Sequence, residues 1–248
     1  MGLLHIDIEP ARDRQPIGWL IDRLMFGSTL AAWMPDEFER YVRILHPASE
    51  YWVGEGQRAE RPVRWSEIAE WSGKQLTSTS AMRDLEQRDD GTTWRDERPH
   101  RTMPTEGQLQ SPQRDRFLDH LAEATSSPDR LRLLTWSGWG DLPRRQTRHA
   151  MVVSQDLTKS GRSYVPLTGA IRPGIGQHRR QSDFPSFWWP DDHAWFVSTD
   201  IDSVSTYVGG PDELVTALLA DDVLEVFEAS LTDPLDGGRE PAPEAGAS

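Results

Sequence analysis

The sequence predicts an α+β fold with a mainly antiparallel sheet, flanked by N-terminal and C-terminal helices. Short segments rich in aromatic and β-branched residues, which are typical of strands, recur along the chain. They do not alternate regularly with helical segments, as the strands of a parallel sheet would. With 248 residues the chain is long enough to bury a sizeable core. We predict one domain over 1–233, followed by a disordered acidic tail over 234–248.

In the first half of the chain, the clearest helical pattern follows Pro35. Four apolar residues between 38 and 45 are spaced at i, i+3, i+4 and i+7, which predicts one apolar helical face that ends before Pro47. Residues 87–112 are polar and poor in aliphatic side chains, and this composition predicts a long mobile loop. The other elements predicted here are a strand at 3–8, a strand or exposed loop at 51–53, and a short helix capped by Ser66 and stopped near Gly73.

The second half is predicted to contain most of the strands. An amphipathic helix over 114–124 precedes them. The predicted strands are 131–136, 151–153, 164–167, 194–201 after a turn at 190–192, and 206–208 before a turn at Gly209 and Gly210. A helix is predicted from Pro211, and helical periodicity resumes at Asp221 and continues to Phe227.

Composition limits the function classes. The chain contains no cysteine, which excludes disulfides, thiolate metal sites and cysteine nucleophiles. No stretch approaches the roughly 20 apolar residues that cross a bilayer, and the first residues lack a signal-peptide pattern, so we expect a cytoplasmic protein without a membrane partner. The net charge of −13 disfavours nucleic acid as a partner.

The charge is unevenly distributed. Residues 144–180 carry a local charge of +7 and residues 201–248 one of −10, with histidines neutral. Such regions often only keep a protein soluble. The alternative is that the arginine-rich region receives an anionic ligand or partner.

Residues 187–202 form the most informative segment, because they combine aromatic residues with four carboxylates and a histidine. Oxygen and imidazole groups of this kind can bind divalent metals, so a metal-assisted hydrolase is one alternative. Asp200 and Asp202 share one face of the predicted strand, and at the rise per residue of a strand they lie roughly 20 Å from the other three, which argues against a single site. Turn capping is the simpler interpretation, and we predict no catalytic residue and no cofactor. The candidate binding residues here are Asp191, Asp192, His193, Asp200 and Asp202.

Two further patterns have both a functional and a purely structural interpretation. Trp136 and Trp139, separated by a glycine, form a candidate stacking platform for a ligand, although tryptophans at a strand end more often pack a core. Residues 65–84 resemble a helix-turn-helix, which makes a DNA-binding regulator the second alternative. The stretch 75–84 offers only Arg83 as a cation to read bases and lies between acids.

The order of these motifs resembles that of a group of actinobacterial proteins to which no activity is assigned. The segments that carry this resemblance are 35–41, 63–68, 136–140, 188–202 and 209–219. The order of elements is also similar to that of the SMI1/KNR4 (SUKH) superfamily, in which an acidic helix comes first and an aromatic strand precedes a closing helix. This resemblance implies a protein-interaction domain, often an immunity protein that binds a toxin. The leading hypothesis is therefore a non-enzymatic interaction domain with a basic protein partner, and the resemblance implies the immunity or antitoxin type.

Overall fold

The computed structural model describes residues 4–10, 16–21, 23–24, 27–54, 57–96, 100–139, 163–173 and 185–235. The strands in these ranges are β1 (Leu4–Pro10), β2 (Arg40–Leu45), β3 (Ala48–Gly54), β4 (Gln57–Val63), β5 (Arg101–Thr102), β6 (Leu131–Trp136), β7 (Tyr164–Pro173), β8 (Phe187–Pro190), β9 (Phe196–Ser198), β10 (Ser205–Gly210) and β11 (Val226–Ala229). The helices are α1 (Pro16–Ile21), α2 (Trp65–Ser72), α3 (Met82–Leu85), α4 (Gln113–Glu123) and α5 (Asp212–Leu219), with a 3₁₀ turn at Leu30–Ala32.

The strands form two sheets. The larger one has eight strands in the order β1-β7-β6-β8-β9-β10-β2-β11, and the smaller has three in the order β4-β3-β5. The strand pairs in both sheets are antiparallel. The predicted α+β class with a mainly antiparallel sheet is confirmed.

Both faces of the large sheet are covered, so its central strands are buried on both sides. On one face, α4 and α5 pack their apolar residues against alternate side chains of β2, β6, β7 and β10. On the other face, Leu20 of α1, the 3₁₀ turn and Met34 pack against the remaining side chains. A third cluster joins the end of β2 to α2, α3 and the small sheet, and Trp65 lies at its centre without solvent exposure.

The predicted helix over 36–45 is wrong, because residues 40–45 form the strand β2. Val42 and Ile44 face the layer of α4 and α5, whereas Tyr41 faces the opposite cluster. A run of apolar residues buried on both faces can match a helical spacing and a strand equally well. Here β2 pairs with β10 on one side and with β11 on the other, and these pairings satisfy its backbone.

Three other predictions near helix ends are also corrected. Gly209 and Gly210 lie inside β10 and do not form the predicted turn. The helical periodicity predicted from Asp221 to Phe227 is absent, since residues 226–229 form the edge strand β11. The cap of α2 is Arg64, whose N–H donates to the Glu67 carboxylate, and Ser66 lies inside the helix.

Most other predicted elements are confirmed. The strand at 131–136 has the predicted bounds, the helix near 114–124 is α4, and Gly73 ends α2 with φ of 75°. The predicted loop at 87–112 is irregular in its described part except for β5 and a bridge from Gln87 to Thr93. The predicted strand at 151–153 lies outside the described residues. Pro234 and Leu235, assigned above to the tail, contact Thr29 and Ser28, and residues 236–248 are outside the described ranges.

Candidate functional site

The aromatic segment 187–202 is a β-hairpin whose rings form the core. Strands β8 and β9 pair through Phe187 with Ser198 and Trp188 with Val197. The Trp195 Nε1–H donates to the Leu121 carbonyl of α4 at 2.9 Å, and its ring lies edge-on to Trp188. The aromatic residues are therefore buried and join the large sheet to helix α4. A ligand or partner can reach the polar residues at the two ends of the hairpin.

Asp191 lies at the hairpin tip among arginines. Its carboxylate accepts a hydrogen bond from Arg132 Nε at 2.7 Å, and Arg130 Nε is 3.8 Å from its second oxygen. The Asp191 N–H donates to the Arg130 carbonyl at 2.9 Å, which holds the hairpin tip against the start of β6. Asp191 is therefore an acid placed between two guanidinium groups.

Asp192 ties the hairpin tip to the loop that follows α4. Its carboxylate accepts hydrogen bonds from the hydroxyls of Thr125 and Ser126 and from the Ser126 and Ala194 N–H groups, at 2.7–3.2 Å. Burial alone would raise the pKa of Asp192, but these hydrogen bonds outweigh it and lower the pKa to about 2. Asp192 acts in the fold as a turn anchor.

His193 completes the turn in a left-handed conformation, with φ of 56°. Its N–H donates to the Pro190 carbonyl, and its ring lies 4.2 Å from that of Trp19, edge to face. Burial lowers the pKa of His193, while Glu37 acts in the opposite direction and Arg23 adds to the lowering. This conformation is common at the end of a hairpin turn, so it is explained without a functional role.

Asp200 and Asp202 lie in the turn at the other end of β9. The Asp200 carboxylate accepts the Asp202 N–H at 3.0 Å, so this pair forms a local turn and is not part of a strand. Strand β9 separates them from Asp191–His193, so the five candidate residues do not lie in one site. Within the described ranges, no group of three or more His, Asp or Glu side chains is arranged to hold a metal ion.

Trp136 and Trp139 are in contact. Their ring centroids are 5.3 Å apart at an interplanar angle of 81°, which is an edge-to-face pair. A Cβ atom on Gly138 would lie 2.2 Å from Cζ2 of Trp136, so only glycine allows the chain to pass this ring. Both tryptophans are half-buried and pack against the two main clusters. They are positioned as core residues at the rim of the sheet.

The helix-turn-helix resemblance lacks a second helix of useful length. After α2, residues 75–81 are not helical, and α3 covers only Met82–Leu85. Arg43 of β2 donates to the Ser78 and Ser80 carbonyls at 2.9 Å and fixes this segment to the sheet. The stretch expected to read a major groove is therefore bound to the protein's own core.

A cleft that the sequence did not predict opens beside Asp191. It has a volume of about 400 Å³ and lies where β6 begins and β7 ends. Its described lining residues are Asp129, Arg130, Leu131, Arg132, Thr168, Gly169, Ala170, Arg172 and Asp191. These residues come from three separate segments. The sequence singled out Asp191 by itself, and Arg172 belongs to the arginine-rich region 144–180, of which residues 144–162 and 174–180 lie outside the described ranges.

A second unpredicted feature is a set of carboxylates around Arg40, at the opposite end of the sheet. Arg40 pairs with Asp212 at the start of α5 and with Glu228 of β11. Glu39 joins them, since its carboxylate accepts the Asp212 N–H at 3.2 Å. We call Asp36, Glu39, Asp212, Glu213 and Glu228 the acidic surface; these five residues are exposed.

No helix in the described part of the chain is both long and apolar enough to cross a membrane. A comparison with known proteins finds no matching family model, no matching curated protein and no matching solved structure.

Proposed function

We propose that this protein is a cytoplasmic protein-interaction domain that binds a basic protein partner through the acidic surface. The observation that carries the proposal is the convergence of exposed carboxylates from three separate segments, which are the turn before β2, the start of α5 and the edge strand β11. Two of the five carboxylates pair with Arg40, and the five acids with this arginine carry a charge of −4, in a chain whose net charge is −13.

The electrostatics suit a transient or tunable complex. Each exposed ion pair contributes about 1 kcal/mol or less, so a single lysine or arginine of a partner would gain little. Several such pairs together raise the association rate and suppress acidic competitors. Binding of this kind weakens as salt rises, because the Debye length falls from about 10 Å at 0.1 M salt to about 3 Å at 1 M.

A narrower form of the proposal is that the partner is a toxin which this domain neutralises, as the SMI1/KNR4 resemblance implies. The aromatic strands β8 and β9 are followed by β10 and the closing helix α5, as in that resemblance. The acidic helix expected first is the strand β2, which removes one part of the support.

Affinity capture from the native host at low salt tests the proposal. The informative variant carries Asp36→Lys and Glu213→Lys, two exposed positions that leave the ion pairs of Arg40 in place. We expect the wild type to retain a basic protein that 0.5 M salt elutes. The double variant should retain at least tenfold less of this protein.

The matched control carries Glu70→Lys and Asp89→Lys, which change the net charge equally at exposed positions elsewhere. It should retain the partner. If the wild type captures no salt-sensitive protein, or if both double variants lose it equally, the acidic surface is not the binding site.

A further inference from the structure

The cleft beside Asp191 has the shape of a small-molecule site. Its volume of about 400 Å³ is within the range of ligand pockets, roughly 300–1,000 Å³. The floor is formed by the paired strands β6 and β7, where Ala170 is buried. The walls are polar and come from the hairpin tip and from the ends of β6 and β7.

The charge of the cleft differs from that of the rest of the molecule. Among its described lining residues, three guanidinium groups and two carboxylates give a local charge of +1, in a chain whose net charge is −13. Two of the arginines flank one carboxylate, since Arg132 donates to Asp191 and Arg130 lies 3.8 Å from it. The side chain of Arg130 is 65% exposed and does not hydrogen-bond that carboxylate, so it can turn toward a ligand in the cleft.

The Asp191 carboxylate shows what kind of group this arrangement accepts. A guanidinium fork binds carboxylate and phosphate oxygens in the same way, and arginine is preferred wherever such planar recognition is needed. A second carboxylate in the cleft would meet repulsion from Asp191 at a similar strength to its attraction. A phosphate offers three acceptor oxygens, so it can accept from two guanidinium groups at once. Its second charge doubles the repulsion from Asp191 and the attraction to the arginines alike, and the balance stays attractive because the described lining residues sum to +1.

We propose that the cleft binds a small phosphorylated molecule, with Arg130 and Arg172 contacting the phosphate and Asp191 acting as a built-in competing anion. The Asp129 carboxylate and the Thr168 hydroxyl lie in the same cleft and can accept or donate hydrogen bonds to hydroxyl groups of the ligand. The two carboxylates disfavour a nucleic-acid backbone, whose successive phosphates would have to pass them. This site is separate from the acidic surface, and neither proposal depends on the other.

Calorimetric titration of the full chain with pyrophosphate tests the site. We expect saturable binding that weakens as salt rises and that falls about tenfold or more in Arg130→Gln and in Arg172→Gln, the loss expected for one charge-assisted contact. Asp191→Asn should bind pyrophosphate several-fold more tightly, because the competing charge is removed and the shape of the side chain is kept. Duplex DNA, titrated in parallel, should bind no better to the wild type than to Arg172→Gln.

The matched controls are Arg83→Gln and Arg95→Gln, at arginines more than half exposed and outside the lining of the cleft. They remove the same charge and should leave pyrophosphate affinity unchanged. Circular dichroism and a thermal melt of each variant show whether it is folded. The proposal is overturned if folded wild type and Asp191→Asn both give no saturable binding, if the controls weaken binding as much as the cleft variants, or if DNA is the preferred ligand.

Discussion

At the scale of single residues, His46 couples the stability of this fold to pH. It is buried, with Nδ1 2.9 Å from the Thr105 carbonyl and Nε2 2.9 Å from the Thr206 hydroxyl. A carbonyl can only accept, so Nδ1 carries the proton and Nε2 accepts from Thr206. Burial lowers the pKa of His46 to about 4, the Thr105 hydrogen bond opposes this, and the charge of Arg43 adds to it. The ring is therefore neutral at pH 7.

Because of this low pKa, we expect acid to begin to lower the free energy of unfolding at a pH above the range in which carboxylates titrate. Because the folded pKa lies below the unfolded value of about 6.5, the unfolded chain binds the proton more readily, and stability falls as pH drops from about 6.5 to 4. The contribution of His46 between pH 7 and pH 5 is about 2 kcal/mol. We expect urea unfolding at these two pH values to show this loss in the wild type and a smaller one in His46→Gln.

His100→Gln serves as the control, since His100 is exposed. It should retain the pH dependence of the wild type. Equal pH dependence in wild type and His46→Gln would show that His46 is not the responsible group.

Three consecutive residues at the hairpin tip have three different roles, which sequence spacing could not assign. Asp191 faces the arginines of the cleft, Asp192 anchors the loop after α4, and His193 packs against Trp19. The sequence indicated a polar turn, and that is confirmed. The direction of each side chain depends on the backbone of the turn and on distant segments, such as those of Arg132 and Ser126, which are 59 and 66 residues away from their partners in the turn.

Among the elements, α2 depends on a capping group from a distant part of the chain. The Glu225 carboxylate accepts the N–H groups of Trp65 and Ser66 at 2.6 and 2.9 Å, which satisfies two donors of the first turn. A carboxylate at this end also interacts favourably with the helix dipole. The sequence placed the cap at Ser66 because capping residues are normally sought just before the helix.

Removing this distant cap should weaken the whole third cluster. We expect Glu225→Ala to lower the free energy of unfolding by about 1 kcal/mol, as loss of a helix cap usually does, measured by urea titration at pH 7. Glu70→Ala removes an equal charge from an exposed position on the same helix and should change it by less than about 0.5 kcal/mol. A similar loss in both variants would assign the effect to net charge instead of capping.

Strand β2 illustrates why an element type can be misassigned. Its apolar residues match a helical stripe in the sequence, yet the strand lies between β10 and β11 with both faces covered. In contrast, α4 was predicted correctly because only one of its faces is apolar, and Phe117, Leu118 and Leu121 form that face. Amphipathic elements are identified by their own sequence, whereas an element buried on both sides is defined by its neighbours.

For the whole molecule, the end of the described chain is part of the fold. After β11, the N–H groups of Leu30 and Ala31 donate to the carbonyls of Asp233 and Leu231, and Leu235 donates to the Ser28 carbonyl. Leu231 and Leu235 pack against the cluster that covers the second face of the sheet. The boundary predicted at 233 thus falls within a packed segment.

Two truncations test this boundary. A chain ending at residue 235 should melt within about 2 °C of the full chain, because it keeps these contacts. A chain ending at residue 229 should melt roughly 5–10 °C lower, since it loses two half-buried leucines and three backbone hydrogen bonds. Scanning calorimetry measures both, and equal melting temperatures for the two truncations would contradict the packing of 230–235.

In the whole molecule, exposed acidic residues and the arginines of the cleft are concentrated at different places along the large sheet. The acidic surface lies by β2 and β11 at one end of the large sheet, and the arginine-lined cleft lies by β6 and β7, toward the other end. The sequence had indicated the same asymmetry, with a basic region before residue 180 and an acidic one after residue 200. It could not indicate that Arg130 and Arg132, outside that basic region, join Arg172 in the cleft.

Local composition and one-sided periodicity were enough to predict the α+β class, the strand at 131–136, helix α4, the position of the long loop and the aromatic character of the core. The tertiary structure was needed to establish that 40–45 is a strand, that Glu225 caps α2, and that Asp191 lies among arginines beside a cleft. These features depend on contacts between segments far apart in the chain, which burial and strand pairing bring together and which no local pattern encodes.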